Sequence, residues 1–300
     1  MTPSGRLLTA LILALAPGAS ASADEDAFDA YWYQGKAEIT SYALEQARYG
    51  EVHRGHAVLV YVTEDFSRRK HVKLDDPGAA GEDRVPILKL NFTKKFSTGV
   101  YPYSMMTSVF SPVDRQGADP HALKVTASSQ EWCGHTFTQL DRKKGGYVVL
   151  GLSYFESEGD QTLTLEDAVT EDELWTTIRI DPASLPTGRL RLIPATMVQR
   201  LRHLPWGVGV ATARLEPAAA GEGLMAYTLD YTDLGRTLTI RFSEAFPHTI
   251  ESWEETYLSG WGPGARRLTT RATRMRRIVS DYWRRHGVAD AQLRRELGLD

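Results

Sequence analysis

The chain has 300 residues, of which 42% are hydrophobic and 24% charged, and its formal net charge is −3. This composition excludes intrinsic disorder, because the apolar content suffices for one large or two small cores. Cys133 is the only cysteine, so an intramolecular disulfide is excluded as a source of stability.

The first 23 residues are typical of a cleavable export signal. A short segment ending at Arg6 precedes an uncharged apolar run, residues 7–16, that is too short to span a bilayer. Ala21-Ser22-Ala23 then supplies the small residues that signal peptidase requires. We therefore expect cleavage after Ala23 and a periplasmic or secreted mature chain, residues 24–300, without a transmembrane segment. The alternative is a buried N-terminal helix, which the Pro-Gly pair after the apolar run disfavours.

Alternating apolar and polar residues predict about a dozen β-strands along the mature chain. The first is expected to run from Ala37 to near His53, and a tight turn at Arg54-Gly55 is expected to lead into the next. The further predicted strands are residues 57–62, 85–92, 123–126, 136–140, 147–155, 189–193, 208–215, 227–231 and 236–242.

Two helical segments stand out among the strands. Thr170 and Glu173 have the spacing of a capping box, which predicts a short helix over residues 171–175. Near the C-terminus, apolar residues at helical spacing predict a basic helical segment within residues 273–300, with Gly287 as its C-cap and a last short helix from Asp290. The apolar stripe consists of Met275, Ile278, Val279, Tyr282 and Trp283.

Many strands with few helices favour a mainly β fold: a curved antiparallel sheet or open half-barrel, with a few short helices across its mouth or edge. We expect a single β-rich domain over residues 24–300. If a boundary exists, it lies within residues 181–223, where loop-forming residues are frequent.

One cluster could carry chemistry. If residues 131–135 lie on a strand, Cys133 and His135 project to the same face, as a thiolate–imidazole pair or two metal ligands would require. Paired carboxylates are expected nearby across the hairpin. The alternative is a small buried cysteine beside ordinary surface residues. The candidate functional cluster is Trp132, Cys133, His135, Glu156 and Glu158.

A metal site would need more ligands than Cys133 and His135. His53 and His56 flank the expected turn at Arg54-Gly55, so they would be cross-strand neighbours able to complete a four-ligand set. No cofactor is predicted apart from this possible metal ion.

Aromatic residues suggest a pocket for an apolar ligand, with membership of the core as the alternative. Its candidate lining is Trp32, Tyr101, Tyr103 and Met105, with the two tyrosines in a Pro-containing turn. The partners that fit are an apolar small molecule or lipid, or an envelope protein, and not nucleic acid. The ten arginines within residues 261–300 could contact a membrane surface peripherally.

Several strings resemble a family of exported bacterial proteins, many of them lipoproteins. They are residues 31–38 (YWYQGKAE), 46–51 (QARYGE), 62–66 (VTEDF), 90–96 (LNFTKKF), 101–107 (YPYSMMT), 130–136 (QEWCGHT) and 154–160 (YFESEGD). Members commonly carry the label "septum formation inhibitor Maf". Maf proteins are cytoplasmic α/β nucleotide pyrophosphatases, and neither their Ser-Pro-Arg-Arg signature nor their strand–helix alternation occurs here.

The resemblance therefore implies an exported protein and no pyrophosphatase activity. The chain also lacks the lipid-attachment cysteine of the lipoprotein members. We expect a non-enzymatic binding protein for an apolar ligand or an envelope partner. The alternative is a metal- or thiol-dependent enzyme centred on Cys133 and His135.

Overall fold

The computed structural model describes residues 19–114, 117, 119–219 and 223–299, with side chains from residue 26 onward. In the part of the chain that the structure describes, the strands form one large open sheet, accompanied by four short helices. The predicted mainly β class is therefore confirmed. No helix in the described part of the chain is long and apolar enough to cross a membrane.

Fifteen strands form the sheet. The first eight are β1 (Ala37–Arg48), β2 (Glu51–Ser67), β3 (Arg84–Thr98), β4 (Tyr101–Pro112), β5 (Lys124–Glu131), β6 (Gly134–Lys143), β7 (Gly146–Ser153) and β8 (Gln161–Glu166). The others are β9 (Val169–Thr170), β10 (Gly188–Ile193), β11 (Gly209–Pro217), β12 (Leu224–Tyr231), β13 (Arg236–Ser243), β14 (Ile250–Ser259) and β15 (Arg266–Ser280). The helices are α1 (Ala19–Trp32), α2 (Glu171–Ile180), α3 (Thr196–Arg202) and α4 (Gln292–Glu296).

The sheet is built almost entirely from strands that follow one another in the chain. Its order is β8-β7-β6-β5-β4-β3-β2-β1-β15-β14-β13-β12-β11-β10-β9. Only β1 and β15 pair over a long sequence distance, and only β9 and β10 pair in parallel. Strands from both sides of residues 181–223, the candidate boundary, lie in this one sheet.

Helix α2 packs against one face of the sheet, which we call the inner face. Trp175 contacts the rings of Phe92 on β3 and Trp253 on β14, at centroid distances of 5.0 and 5.2 Å. Thr176 bonds Ser111 on β4 at 2.6 Å between the hydroxyl oxygens. A ten-residue helix is about 15 Å long, whereas the seven strands from β4 to β13 span about 29 Å. Because α2 reaches both β4 and β13, the sheet curves around it.

Buried ion pairs fix α2 at both ends. Arg179 near its C-terminus donates two hydrogen bonds of 2.7 Å to the carboxylate of Glu38 on β1. Glu171 at its N-terminus accepts bonds of 2.7 and 2.6 Å from Arg236 on β13. The expected capping box of Thr170 and Glu173 is present, and the helix continues five residues past the expected end at residue 175.

The expected C-terminal helix is wrong for residues 273–280. They form the second half of β15, which lies between β1 and β14, and its register pairs Ser280 with Ala37. The apolar spacing that suggested a helix is overridden because two partner strands are available. Gly287 is the N-cap of a 3-10 turn, Val288–Ala291, and α4 follows, two residues later than expected. Leu297 after α4 then packs on the outer face of the sheet.

The expected turn at Arg54-Gly55 is also wrong, because both residues lie inside β2. The hairpin turn is Tyr49-Gly50, where φ is 55° and 80°, as two-residue turns with left-handed central residues require. Within β2, a glycine is needed at position 55 because the neighbouring strand leaves no room for a side chain. A Cβ there would lie 2.1 Å from the carbonyl oxygen of Lys95 on the neighbouring strand.

The predicted export signal lies mostly outside the described residues. Residues 1–18 are not described, and residues 19–23 form the first part of α1, so the predicted cleavage point after Ala23 falls within that helix. At the other end of α1, Trp32 is buried 6.1 Å from the ring of Tyr61, measured between centroids.

Candidate ligand-binding site

Cys133 and His135 do not share a strand face. Strand β5 ends at Glu131, Trp132-Cys133 form the turn, and β6 begins at Gly134, so the geometry expected for this pair is wrong. Cys133 is exposed, which also contradicts the alternative of a small buried cysteine.

The surroundings of Cys133 do not favour a nucleophile. Its backbone N–H donates to Oε2 of Glu131 at 2.6 Å, and that carboxylate raises the pKa of the thiol. A reactive thiol needs the opposite, a positive environment that lowers its pKa.

His53 and His56 do not flank a turn, so they are not cross-strand partners. Both lie on β2, where they pair with Gln46 and Ala43 on β1. Three positions apart on one strand, they project to opposite faces of the sheet. Throughout residues 19–299, excluding the undescribed positions, no group of three or more His, Cys, Asp or Glu side chains is placed to hold a metal ion.

Glu156 and Glu158 lie on a 3-10 turn, Glu156–Glu158, between β7 and β8, and not on a strand face as expected. Glu156 is exposed. Glu158 is half-buried and bonds His203, which follows α3. The structure thus brings Glu158, Trp132 and Cys133 to the same end of the sheet, and it adds His203 as a hydrogen-bond partner of Glu158 that the sequence did not reveal.

Of the four residues expected to line one apolar pocket, Trp32 lies apart from the other three, which share the start of β4. Trp32 packs beside Tyr61 on β2, and the residue of β4 that lies level with Tyr61 across the sheet is Val109. Tyr103 lies six residues before Val109 on β4. At about 3.4 Å per residue, this separation is about 20 Å. Tyr103 and Met105 are buried in the core and lie on a strand, so the turn expected there is wrong.

A cavity of about 310 Å³ lies between α3 and the inner face of β6, β7 and β8. We call it the α3 pocket. Its lining is rich in hydroxyl and amide groups, and Leu163 and Trp206 add apolar surface. The polar side chains that line it are Thr136, Thr138, Ser153, Ser157, Glu158, Gln161, Gln199, Arg200 and His203.

One end of the α3 pocket is formed by a histidine held by a carboxylate. Nδ1 of His203 bonds Oε1 of Glu158, while Oε2 of Glu158 accepts from the hydroxyl of Ser153 at 3.3 Å. His203 terminates α3 in the left-handed conformation, with φ of 52°, and its ring packs against Phe155. The ring is therefore fixed from two sides.

Arg200 is the least satisfied charged side chain of the pocket. It is only 10% exposed, and its Nη2 lies 3.7 Å from Oε1 of Glu131. Its Nε and Nη1 are buried without a hydrogen-bond partner, as is Oε1 of the adjacent Gln199. Buried polar atoms are normally bonded, and unpaired ones often mark the place of a ligand, water or ion.

A second polar cluster lies beneath α3, around a cavity of about 30 Å³. Asp172 on α2 accepts a bond of 2.9 Å from the backbone N–H of Thr196, and burial raises the pKa of this carboxyl to about 7. Burial also lowers the pKa of Lys94 on β3, which lines the same cavity. This cluster connects the N-termini of α2 and α3.

Sequence reasoning missed Gln199, Arg200 and His203. They belong to no motif, and they face the sheet only because the chain turns back after β10 and places α3 against β6–β8. The helical segment itself was not expected, so no signal in the sequence pointed to these residues.

Comparison with known protein families, curated proteins and solved structures found no match to this chain. The resemblance to exported bacterial proteins therefore stays a prediction.

Proposed function

We propose that this protein is an exported, non-enzymatic binding protein that holds a small anionic ligand in the α3 pocket. The observation that carries the proposal is the guanidinium of Arg200, which lines the pocket, lies over the ring of Phe155 at 4.6 Å, and keeps two buried nitrogen atoms, Nε and Nη1, without a hydrogen-bond partner. A carboxylate or phosphate oxygen is the partner that such a group binds most strongly.

The chemistry of the pocket favours a polar ligand over the apolar one that the sequence suggested. Hydroxyl and amide groups surround the space, and a volume of about 310 Å³ suits a molecule the size of a sugar acid. The region of the inner face beneath α2, in contrast, is filled by Phe92, Trp175 and Trp253.

The alternative of an enzyme centred on Cys133 and His135 has less support. These two residues do not form a pair, and the environment of Cys133 raises the pKa of its thiol. An envelope partner is compatible with ligand binding, because the α3 pocket occupies only a small part of the surface.

The test is calorimetric titration of the mature chain with glucuronate, citrate and inorganic phosphate, with glucose as the neutral probe. We expect at least one anion to bind and glucose not to bind. Arg200→Met keeps much of the length of the side chain but removes the charged donors, so binding should weaken about tenfold to a hundredfold. Arg189→Met, at an exposed position on β10, is the matched control and should leave binding unchanged.

Two results would contradict the proposal. In one, none of the three anions binds the wild-type chain at millimolar concentration. In the other, Arg200→Met and Arg189→Met bind the anion equally well.

A further inference from the structure

Five hairpin connections that are neighbours in the sheet carry an exposed large apolar side chain at one end of the strands. In sheet order, they join β7–β8, β5–β6, β3–β4, β1–β2 and β14–β15. The exposed residues are Tyr154 (48%), Trp132 (68%), Val100 (76%), Tyr49 (38%) and Trp261 (58%). We call these five side chains the hairpin rim. Because consecutive strands are antiparallel, every one of these connections lies at the same end of the sheet.

Four of the five hairpin connections that carry the hairpin rim are uncharged. Tyr49-Gly50, Gly99-Val100, Trp132-Cys133 and residues 260–265 contain no Asp, Glu, Lys or Arg. Acidic residues occur only in the β7–β8 connection, after Tyr154. A surface that meets water alone has no need for such a series of apolar, uncharged tips.

The opposite end of the sheet differs in charge. It also has exposed apolar side chains, among them Tyr33 (47%) and Trp283 (45%). There, however, the connection between β2 and β3 contains Arg68-Arg69-Lys70, and Arg284-Arg285 follow Trp283. Four of the five rim connections are therefore uncharged, whereas Asp233 in the β12–β13 connection and the acidic residues after Tyr154 are charges at this same end.

The chemistry of the rim is that of side chains which prefer the boundary between water and lipid. Trp and Tyr combine a large apolar ring with one polar atom, and they concentrate at membrane interfaces for that reason. Rings of neighbouring hairpins also meet: the centroids of Tyr49 and Trp261 are 5.5 Å apart, and those of Tyr101 and Trp132 are 6.4 Å apart.

The extent of the rim fits a broad surface. Hairpins repeat every second strand, about 9.6 Å, so five of them extend about 38 Å along the curved sheet. A lipid bilayer offers a surface at least as broad as this row of tips. The tips can enter the headgroup region of a bilayer side by side, each burying its own apolar side chain.

We propose that the hairpin rim docks the protein on the surface of a lipid bilayer, with the Trp and Tyr rings in the headgroup region. Because the tips of the rim are largely uncharged, they complement a zwitterionic surface and do not require anionic lipid. The arginines of β15 are a different surface, and three of them pair with carboxylates: Arg271 with Glu254 at 3.1 Å, Arg274 with Glu251 at 2.7 Å and Arg277 with Glu38 at 3.9 Å.

The test is flotation of the mature chain with phosphatidylcholine vesicles. We expect the wild-type chain to float with the vesicles, equally at low and at high salt. Trp132→Ser combined with Trp261→Ser should lower the partition coefficient at least about tenfold, because two large apolar side chains leave the interface. Tyr33→Ser combined with Trp283→Ser removes similar exposed rings from the opposite end and should leave partitioning unchanged.

Circular dichroism and the melting temperature of both double variants establish that each is folded. The proposal is overturned if the wild-type chain does not float with phosphatidylcholine vesicles, or if the two double variants lose binding to the same extent. It is also overturned if sedimentation velocity without lipid shows a dimer that the rim variant abolishes, because the rim would then be an interface between two copies.

Discussion

At the scale of single residues, the buried carboxyl groups fall into two classes. Burial alone would raise the pKa of Glu38, but the guanidinium of Arg179 beside it holds that pKa below its usual range. Glu255 is held low by Arg236 in the same way, against the effect of burial. Asp172 has no such bidentate partner, and its pKa rises to about 7.

The pH dependence of stability should reveal Asp172. Its folded-state pKa lies above the ordinary value of about 4, so between pH 4 and pH 7 the folded state holds a proton that the unfolded state has lost. This group therefore favours folding less and less as pH rises through that window, and its effect is constant above it. Asp172→Asn should be more stable than the wild type at pH 8, by up to about 4 kcal/mol, and nearly equal at pH 4.

Urea unfolding at pH 4, 6 and 8 measures this difference. Asp233→Asn, in an exposed turn, is the control and should follow the wild type at each pH. Glu38 and Glu255 contribute the opposite slope, but they do so equally in all three chains. Parallel profiles for Asp172→Asn and the wild type would show that this carboxyl does not keep its proton in the folded state.

At the scale of elements, local patterns predicted strands better than they predicted turns and ends. Alternation in residues 85–92 and 236–242 identified strands because one face of each is buried and the other faces outward. It missed β4 entirely, since Pro102 suggested a turn around Tyr101 and Tyr103. The structure places Pro102 beside the first residue of the strand and Pro112 at its last, positions where proline is tolerated.

The mistaken helix at β15 has a different cause. Apolar residues at positions 275, 278 and 279 fit a helical stripe, and no residue nearby forbids it. The strand forms because β1 and β14 each offer a row of backbone groups, and this long-range pairing is invisible in a local window. The candidate site was not predicted for the same reason, because the α3 pocket forms only where α3 packs against the distant strands β6, β7 and β8.

The hairpin between β1 and β2 gives a prediction about turn geometry. Gly50 and Gly99 both have positive φ, of 80° and 58°, at the second position of the β1–β2 turn and the first position of the β3–β4 turn. A Cβ on Gly50 would lie 2.6 Å from the carbonyl oxygen of Gly264, whereas nothing lies within 4 Å of a Cβ on Gly99. We expect Gly99→Ala to cost about 1 kcal/mol of strain, and Gly50→Ala to cost at least about 1 kcal/mol more.

The free energies of unfolding of the two alanine variants, measured in urea, compare the two sites. Gly99→Ala is the control for the backbone conformation alone. Equal losses would mean that the segment around Gly264 moves away without cost, and the packing of these two loops would then be loose.

At the scale of the whole molecule, the two halves of the sheet share one core. A single cluster of buried side chains extends from Trp32 and Tyr61 through Trp175 to Tyr227 and Phe242. The ion pair of Arg179 with Glu38 also joins α2 to β1, at the seam between the halves. Nothing in this packing separates the strands before residue 181 from those after residue 223.

We therefore expect the protein to unfold in one cooperative transition, with equal calorimetric and van't Hoff enthalpies. Glu38→Gln should lower the temperature of that transition without splitting it, because loss of one partner leaves Arg179 buried and poorly paired. Such a loss typically costs about 3–5 kcal/mol. Exposed Glu216→Gln on β11 is the control. Two resolved transitions would show that the halves fold independently.

The position of β1 in the middle of the sheet has a consequence for the order of assembly. Every other antiparallel pairing joins strands close in sequence, so hairpins can form as soon as they emerge during synthesis. The free edges of β1 and β14, in contrast, must wait for residues 266–280 before either is covered. Until then, these two central edges stay unpaired in addition to the outer edges of β8 and β9, and unpaired edges are templates for pairing with other chains. The last strand to be made is thus the one that covers the centre of the sheet.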